Sequence, residues 1–193
     1  MGFYRTKTYI AGDWTGDSDA ITQLYDWNEG DKWNFHFVDV HDNYNCYDSS
    51  MPCTIKDSLA ERMRRSKVFV LVVGNETKTT RKGACSYQSC CNKKFDFQTG
   101  QFSCNVIGKY YSTKSFIDYE CKLAFEAYER GEMKIVVLYN AAFVNKSKCP
   151  AILRSIGTHK EMKSYSDFWR KYFVTSLVSD KVGLVVKKIR VCI

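Results

Sequence analysis

Proline is almost missing from this chain, with two residues in 193, and there are only three histidines. So little proline excludes proline-rich linkers, and a hydrophobic share of 45% excludes a disordered chain. No stretch reaches the ~18–20 uncharged apolar residues that a membrane span requires. No apolar signal core follows the N-terminus either, so the chain is expected to be cytoplasmic. The opening Met1-Gly2-Phe3-Tyr4-Arg5-Thr6 fits the myristoylation pattern formally, but so short a match is discounted. Asn75-Glu76-Thr77 and Asn145-Lys146-Ser147 then read as chance sequons. The G-x-S-x-G elbow is also absent, and His36, His41 and His159 fall in a strand, a loop and an edge strand, which disfavours a hydrolytic triad. The length fits one domain over residues 1–193, long enough to bury a sizeable core.

Cysteine is plentiful, at nine residues, but the number is odd and several sit inside apparent core elements. With no export signal they read as reduced, packed thiols. Cys85, Cys90, Cys91 and Cys104 cluster in one segment, yet paired CxxC knuckles and a nearby His are both missing, so no metal is expected there.

The net charge of +8 is unevenly distributed. Residues 1–61 hold four basic and eleven acidic residues, net −7, whereas residues 78–114 hold seven and one, net +6. Residues 164–193 add six and two, net +4. Such local basic excess suits an anion or an acidic partner surface. It argues poorly for a general nucleic-acid binder.

In chain order, residues 7–11 read as a short strand that ends in the acidic loop 12–19. A helix is predicted over 18–28, with Ala20, Ile21, Leu24 and Tyr25 inward, and a nearly continuous apolar strand over 33–40 that carries Asp39 at its end. A second helix is predicted over 54–65 on the spacing of Ile55, Leu59 and Met63. The clearest central strand is 68–73. Residues 78–113 break the rhythm and read as a Cys-rich, basic insertion, with 94–97 and 101–106 able to pair as a hairpin. Beyond it come a helix over 115–130, a strand over 134–139, a short helix over 150–156 and a short edge strand over 158–163. An aromatic-rich helix is predicted over 165–178, and a weak terminal strand over 182–192. The alternation predicts an α/β three-layer sandwich with a mostly parallel sheet of five strands, six if the C-terminal segment adds one. A site belongs at the carboxyl ends of the strands.

The helix over 115–130 draws the closest reading. Ser115 with Asp118 three residues on matches a capping box, and Phe116, Leu123, Ala124 and Ala127 share one face. Glu120 falls on that apolar face, while Glu126 and Glu129 lie off it. A carboxylate there either reaches water or an arginine at the stripe's edge, or opens onto a cleft. The pattern leaves both open.

Taken together, these residues resemble the TIR-like family of bacterial signalling and Thoeris anti-phage systems, flavodoxin-like relatives of TIR domains. The resemblance covers about residues 6–140. It rests on the strand with its Asp13-Trp14…Asp17 loop, the strand ending at Asp39, Ser66–Gly74, and Phe116-Ile117-Asp118-Tyr119-Glu120 followed by Gly131–Leu138. It implies strand order 2-1-3-4-5 and cleavage of NAD, by hydrolysis or by cyclisation to an ADP-ribose-type signal, with NAD as substrate and no permanently bound cofactor. Glu120 would be the catalytic carboxylate, stabilising an oxocarbenium-like state. Gly12, Asp13, Trp14, Asp17, Asp39 and Phe116 would form the nucleotide pocket, Trp14 stacking on a ring. The family also contains non-catalytic assembly modules, so a homo-oligomer or a protein partner is the other expectation. A phosphoreceiver reading fails because the third strand ends in Gly74-Asn75 without an acceptor Asp. A flavin reading fails because the acids of the first loop would repel a phosphate.

Overall fold

The computed structural model describes residues 6–29, 37–39, 52–85, 93–98, 100–104, 109–110, 114–140, 145–167 and 170–175. Strands β1 (Thr6–Ala11), β2 (Phe37–Asp39), β3 (Val68–Val73), β7 (Lys134–Asn140), β8 (Thr158–Asp167) and β9 (Arg170–Thr175) build one sheet in the order β2-β1-β3-β7-β8-β9. The first five run parallel, and β9 closes the edge antiparallel to β8. The fold is therefore the expected flavodoxin-like α/β sandwich, with β7 and β8 as the fourth and fifth parallel strands.

Alternation along the strands sorts the core into two halves. Phe69, Leu71 and Val73 face one side with Tyr9, Ile135 and Val137. They pack against Leu59 and Met63 of α2 (Pro52–Arg64) and Ile117, Cys121, Ala124 and Ala127 of α3 (Phe116–Glu129). Val68, Val70 and Val72 face the other side, under Ala20, Ile21 and Leu24 of α1 (Ser18–Glu29). A strand covered on both faces has no solvent side, which is why β3 is apolar at every position and buried throughout. Each such side chain contributes about 1.5–3 kcal/mol by leaving water. No helix among the described residues is long and apolar enough to cross a membrane.

Between β3 and α3 lies a small antiparallel sheet, β4 (Lys93–Asp96), β5 (Gln101–Cys104) and β6 (Lys109–Tyr110). The hairpin expected there is present, with Phe95 opposite Phe102 and Gly100 at positive φ in the turn. Cys90 and Cys91 lie outside the described residues, as do His36, His41, residues 33–36 and 40 of the expected second strand, and the expected terminal strand over 182–192.

Three expectations for the C-terminal third are corrected. Residues 150–156, predicted as a helix, form only a 3-10 turn at Ala151–Leu153, which follows another at Lys146–Lys148. The segment is one turn long before Gly157 takes a φ of +77° and redirects the chain. Residues 158–163, predicted as an edge strand, belong to a ten-residue strand paired on both sides. The helix predicted from residue 165 is instead the β8–β9 hairpin as far as Thr175. Tyr165, Phe168, Trp169, Tyr172 and Phe173 satisfy a helical spacing by position, but aromatic residues favour strands, and pairing along β8 supplies the partner as far as Thr175.

Candidate functional site

The helix carrying Glu120 is fixed at both ends by its own sequence. The Ser115 hydroxyl accepts the Asp118 amide at 3.1 Å and donates to the Asp118 carboxylate at 2.9 Å. At the other end Gly131 takes a φ of +71°. There the amide of Glu132 reaches Ala127 O and that of Gly131 reaches Tyr128 O, a Schellman closure. Between these stops the buried stripe runs Ile117, Glu120, Cys121, Ala124, Ala127, with Phe116 and Leu123 at its margins. Glu120 is 7% exposed.

This carboxylate is not stranded. The Tyr9 hydroxyl on β1 donates to Glu120 Oε1 at 2.5 Å, joining residues 111 positions apart. Burial first, then the Glu120 charge, push the Tyr9 phenol well above its usual range, with Arg62 of α2 pulling the other way. Tyr9 is therefore the proton donor throughout the neutral range.

Glu120 also lines a cleft of about 170 Å3 at the carboxyl end of β1. Gly12, Asp13 and Trp14 form one wall, and Phe116 and Ile117 stand beside Glu120 on α3. Ile55 and Leu59 of α2 form an apolar floor, and Thr80 and Lys82 close the rim. Trp14 is 48% exposed. Behind it lie the Tyr25 ring, 6.2 Å away between centroids, and then Phe37.

The rim is held by backbone. Lys82 O accepts the Phe116 amide at 2.9 Å, which satisfies one of the free donors at the start of α3. Nearby, the buried Lys56 of α2 donates from Nζ to Lys114 O at 2.6 Å and lies 5.7 Å from the centre of the Tyr119 ring. Burial lowers the pKa of this ammonium, with the thiols of Cys85 and Cys53 opposing.

Of the residues singled out in the sequence, Glu120, Gly12, Asp13, Trp14 and Phe116 meet in this cleft, and two do not. Asp17 is 1% exposed and faces the sheet, where Asn140 Nδ2 at the end of β7 donates to its Oδ1 at 3.1 Å. Its Oδ2 is buried without a hydrogen-bond partner, and burial raises its pKa to about 6, with Asp13 and Asp19 adding to the rise. The Asp17 backbone amide bonds Asp13 O at 2.8 Å, so Asp17 fastens the loop that presents Asp13 and Trp14. Asp39 is buried at the end of β2 and accepts the Tyr25 hydroxyl, which places it behind Trp14. Tyr9, Thr80 and Lys82 were not legible as site residues. A tyrosine inside an apolar strand reads as core, and residues 80 and 82 fell within the apparent insertion. Among the described residues no group of His, Cys, Asp and Glu is arranged to hold a metal ion.

Residues 8–82 match the family model described as Thoeris protein ThsB, TIR-like domain. No curated protein matches the chain. The matched stretch takes in most of β1, the Trp14 loop, α2, β3 and the rim residues Thr80 and Lys82, and it ends before α3. Over residues 8–82 the chain is therefore similar to the TIR-like domain of the Thoeris protein ThsB.

Proposed function

We propose that the protein cleaves NAD at the nicotinamide–ribose bond, with Glu120 as the catalytic carboxylate. The observation that carries this reading is the placement of a buried, hydrogen-bonded carboxylate in the wall of the same cleft as the exposed Trp14. Loss of nicotinamide leaves positive charge on the ribose, and a fixed anion in a site partly shielded from water stabilises that charge strongly. Trp14 offers a stacking face, and Asp13 stands at the same wall for ribose hydroxyls.

The cleft is smaller than the ~300–1,000 Å3 usual for ligand sites, so it suits one end of a dinucleotide. The nicotinamide riboside end belongs there, with the remainder leaving over the rim at Thr80 and Lys82. Mass analysis of the products formed from NAD tests the proposal. Nicotinamide with ADP-ribose indicates hydrolysis, nicotinamide with a cyclic ADP-ribose isomer indicates cyclisation, and unchanged NAD removes the catalytic reading.

A non-catalytic assembly module is the second reading, favoured by Phe97. This residue follows β4 at the hairpin turn, is 89% exposed and packs edge-on against Phe95 within the basic insertion. On this reading Phe97 would be the anchor of the partner surface. Unchanged NAD together with a self-associating protein that disperses on Phe97→Ser would favour this reading.

A further inference from the structure

We infer that Tyr9 is the positioning residue for Glu120: its hydroxyl holds the carboxylate as an anion in one orientation at the cleft wall, and thereby sets the pH range in which the site works. The inference rests on the catalytic reading of Glu120 given above.

The geometry assigns the hydroxyl a task that packing does not. Tyr9 sits mid-strand in β1, paired on one side to β3, and its ring stacks on Phe69 at 5.9 Å between centroids. A phenylalanine would fill the same place among Ala11, Leu71 and Val73 without a polar atom to satisfy. The hydroxyl instead meets Glu120 Oε1 at 2.5 Å, from a backbone that the sheet holds still. A buried carboxylate that accepts a hydrogen bond is favoured in its charged form, and one that loses its donor takes up a proton more readily. It also loses one anchor on its direction, and catalytic electrostatics depend on a charge already in place.

Among the described residues, other charged and titratable groups stand around this pair. Arg62 comes from α2, Asp39 from β2, Asp13 and Lys82 from the loops lining the cleft, and Cys121 adjoins Glu120 on α3. Burial and then the Glu120 charge push the Cys121 thiol well up, so it stays neutral beside the carboxylate. Asp39 is engaged by Tyr25. These groups remain when the hydroxyl alone is removed, so a change of that one atom isolates its contribution.

The test is the pH profile of NAD consumption by wild type, Tyr9→Phe and Glu120→Gln. Tyr9→Phe is expected to move the acid limb up by about one unit, giving roughly tenfold lower kcat below the limb and partial recovery at higher pH, with little change in KM. A profile that superimposes on wild type overturns the inference while leaving Glu120 in its role, provided that Glu120→Gln is inactive. A Glu120→Gln variant as active as wild type removes the catalytic reading itself. Should Tyr9→Phe fail to fold, 3,5-difluorotyrosine placed at position 9 keeps the ring and makes a stronger donor. The acid limb must then move to lower pH, and an unmoved limb overturns the inference equally.

Discussion

Gly83 lies with its bare Cα against the ring of Phe116, at a φ of +84°. A Cβ at this position would overlap the ring carbons, so the rim of the cleft and the first turn of the Glu120 helix fit together only through glycine. Together with the bond from the Phe116 amide to Lys82 O, this contact sets where Thr80 and Lys82 stand.

Gly83→Ala is accordingly expected to cost about 1–3 kcal/mol, from the positive φ and the displaced ring. Urea unfolding measures the loss. Nucleotide turnover under folding conditions should fall further than the stability change explains, because the rim moves. A variant with wild-type stability and turnover would contradict the contact.

Asp17 makes a pH prediction with a definite sign. Its folded pKa is raised to about 6 from the ordinary 3.8, chiefly by burial. Between those values the folded state holds the proton more tightly than the unfolded chain. The stabilisation it brings is therefore complete below pH 3.8 and is lost as pH rises through about 6. In Asp17→Asn this titration is gone, so wild-type stability minus variant stability should drop between about pH 4 and 7, by on the order of 2–3 kcal/mol. Parallel stability curves for the two proteins would refute the assignment.

The same carboxylate constrains Gly74 at the end of β3. A Cβ there would overlap Asp17, whose loop is tied to β7 through Asn140. Gly74→Ala is expected to destabilise by about 1–3 kcal/mol, as overpacked sites do. It should also raise KM for NAD by shifting the Trp14 loop. Thermal unfolding and steady-state kinetics measure the two effects, and a neutral result in both would show that the loop is not anchored there.

Trp14→Ala separates binding from stability. The ring is half exposed and rests on Tyr25, so its loss should cost less than about 1 kcal/mol of stability. Stacking on a nucleotide ring is worth about 1–3 kcal/mol, which corresponds to a KM rise of roughly 5- to 150-fold. An unchanged KM would remove Trp14 from the site.

The sequence carried the parts of this fold that local chemistry decides. Val68–Val73 is a strand because six consecutive apolar residues suit only a position covered on both faces. Ser115 and Gly131 mark the limits of α3 because each supplies a specific cap. What stayed hidden depends on distant partners. The spacing of Tyr165, Tyr172 and Phe173 fits a helix face, and only pairing along β8 makes it a hairpin. Asp13 and Asp17 look alike in a loop of acids, yet one lines the cleft and the other is buried against Gly74 and Asn140. Glu120 on an apolar face announced an unusual carboxylate, but its donor lies 111 residues away and has no local signature.

Nicotinamide release from NAD by wild type and by Glu120→Gln, measured side by side with the melting temperature of each, bears most directly on the whole account. Wild type should release nicotinamide, and the variant should be slower by at least about a hundredfold while still folding cooperatively, since loss of one fixed electrostatic group costs on that order. Equal release by the two proteins, or none by a folded wild type, would contradict the claim that this carboxylate cleaves NAD.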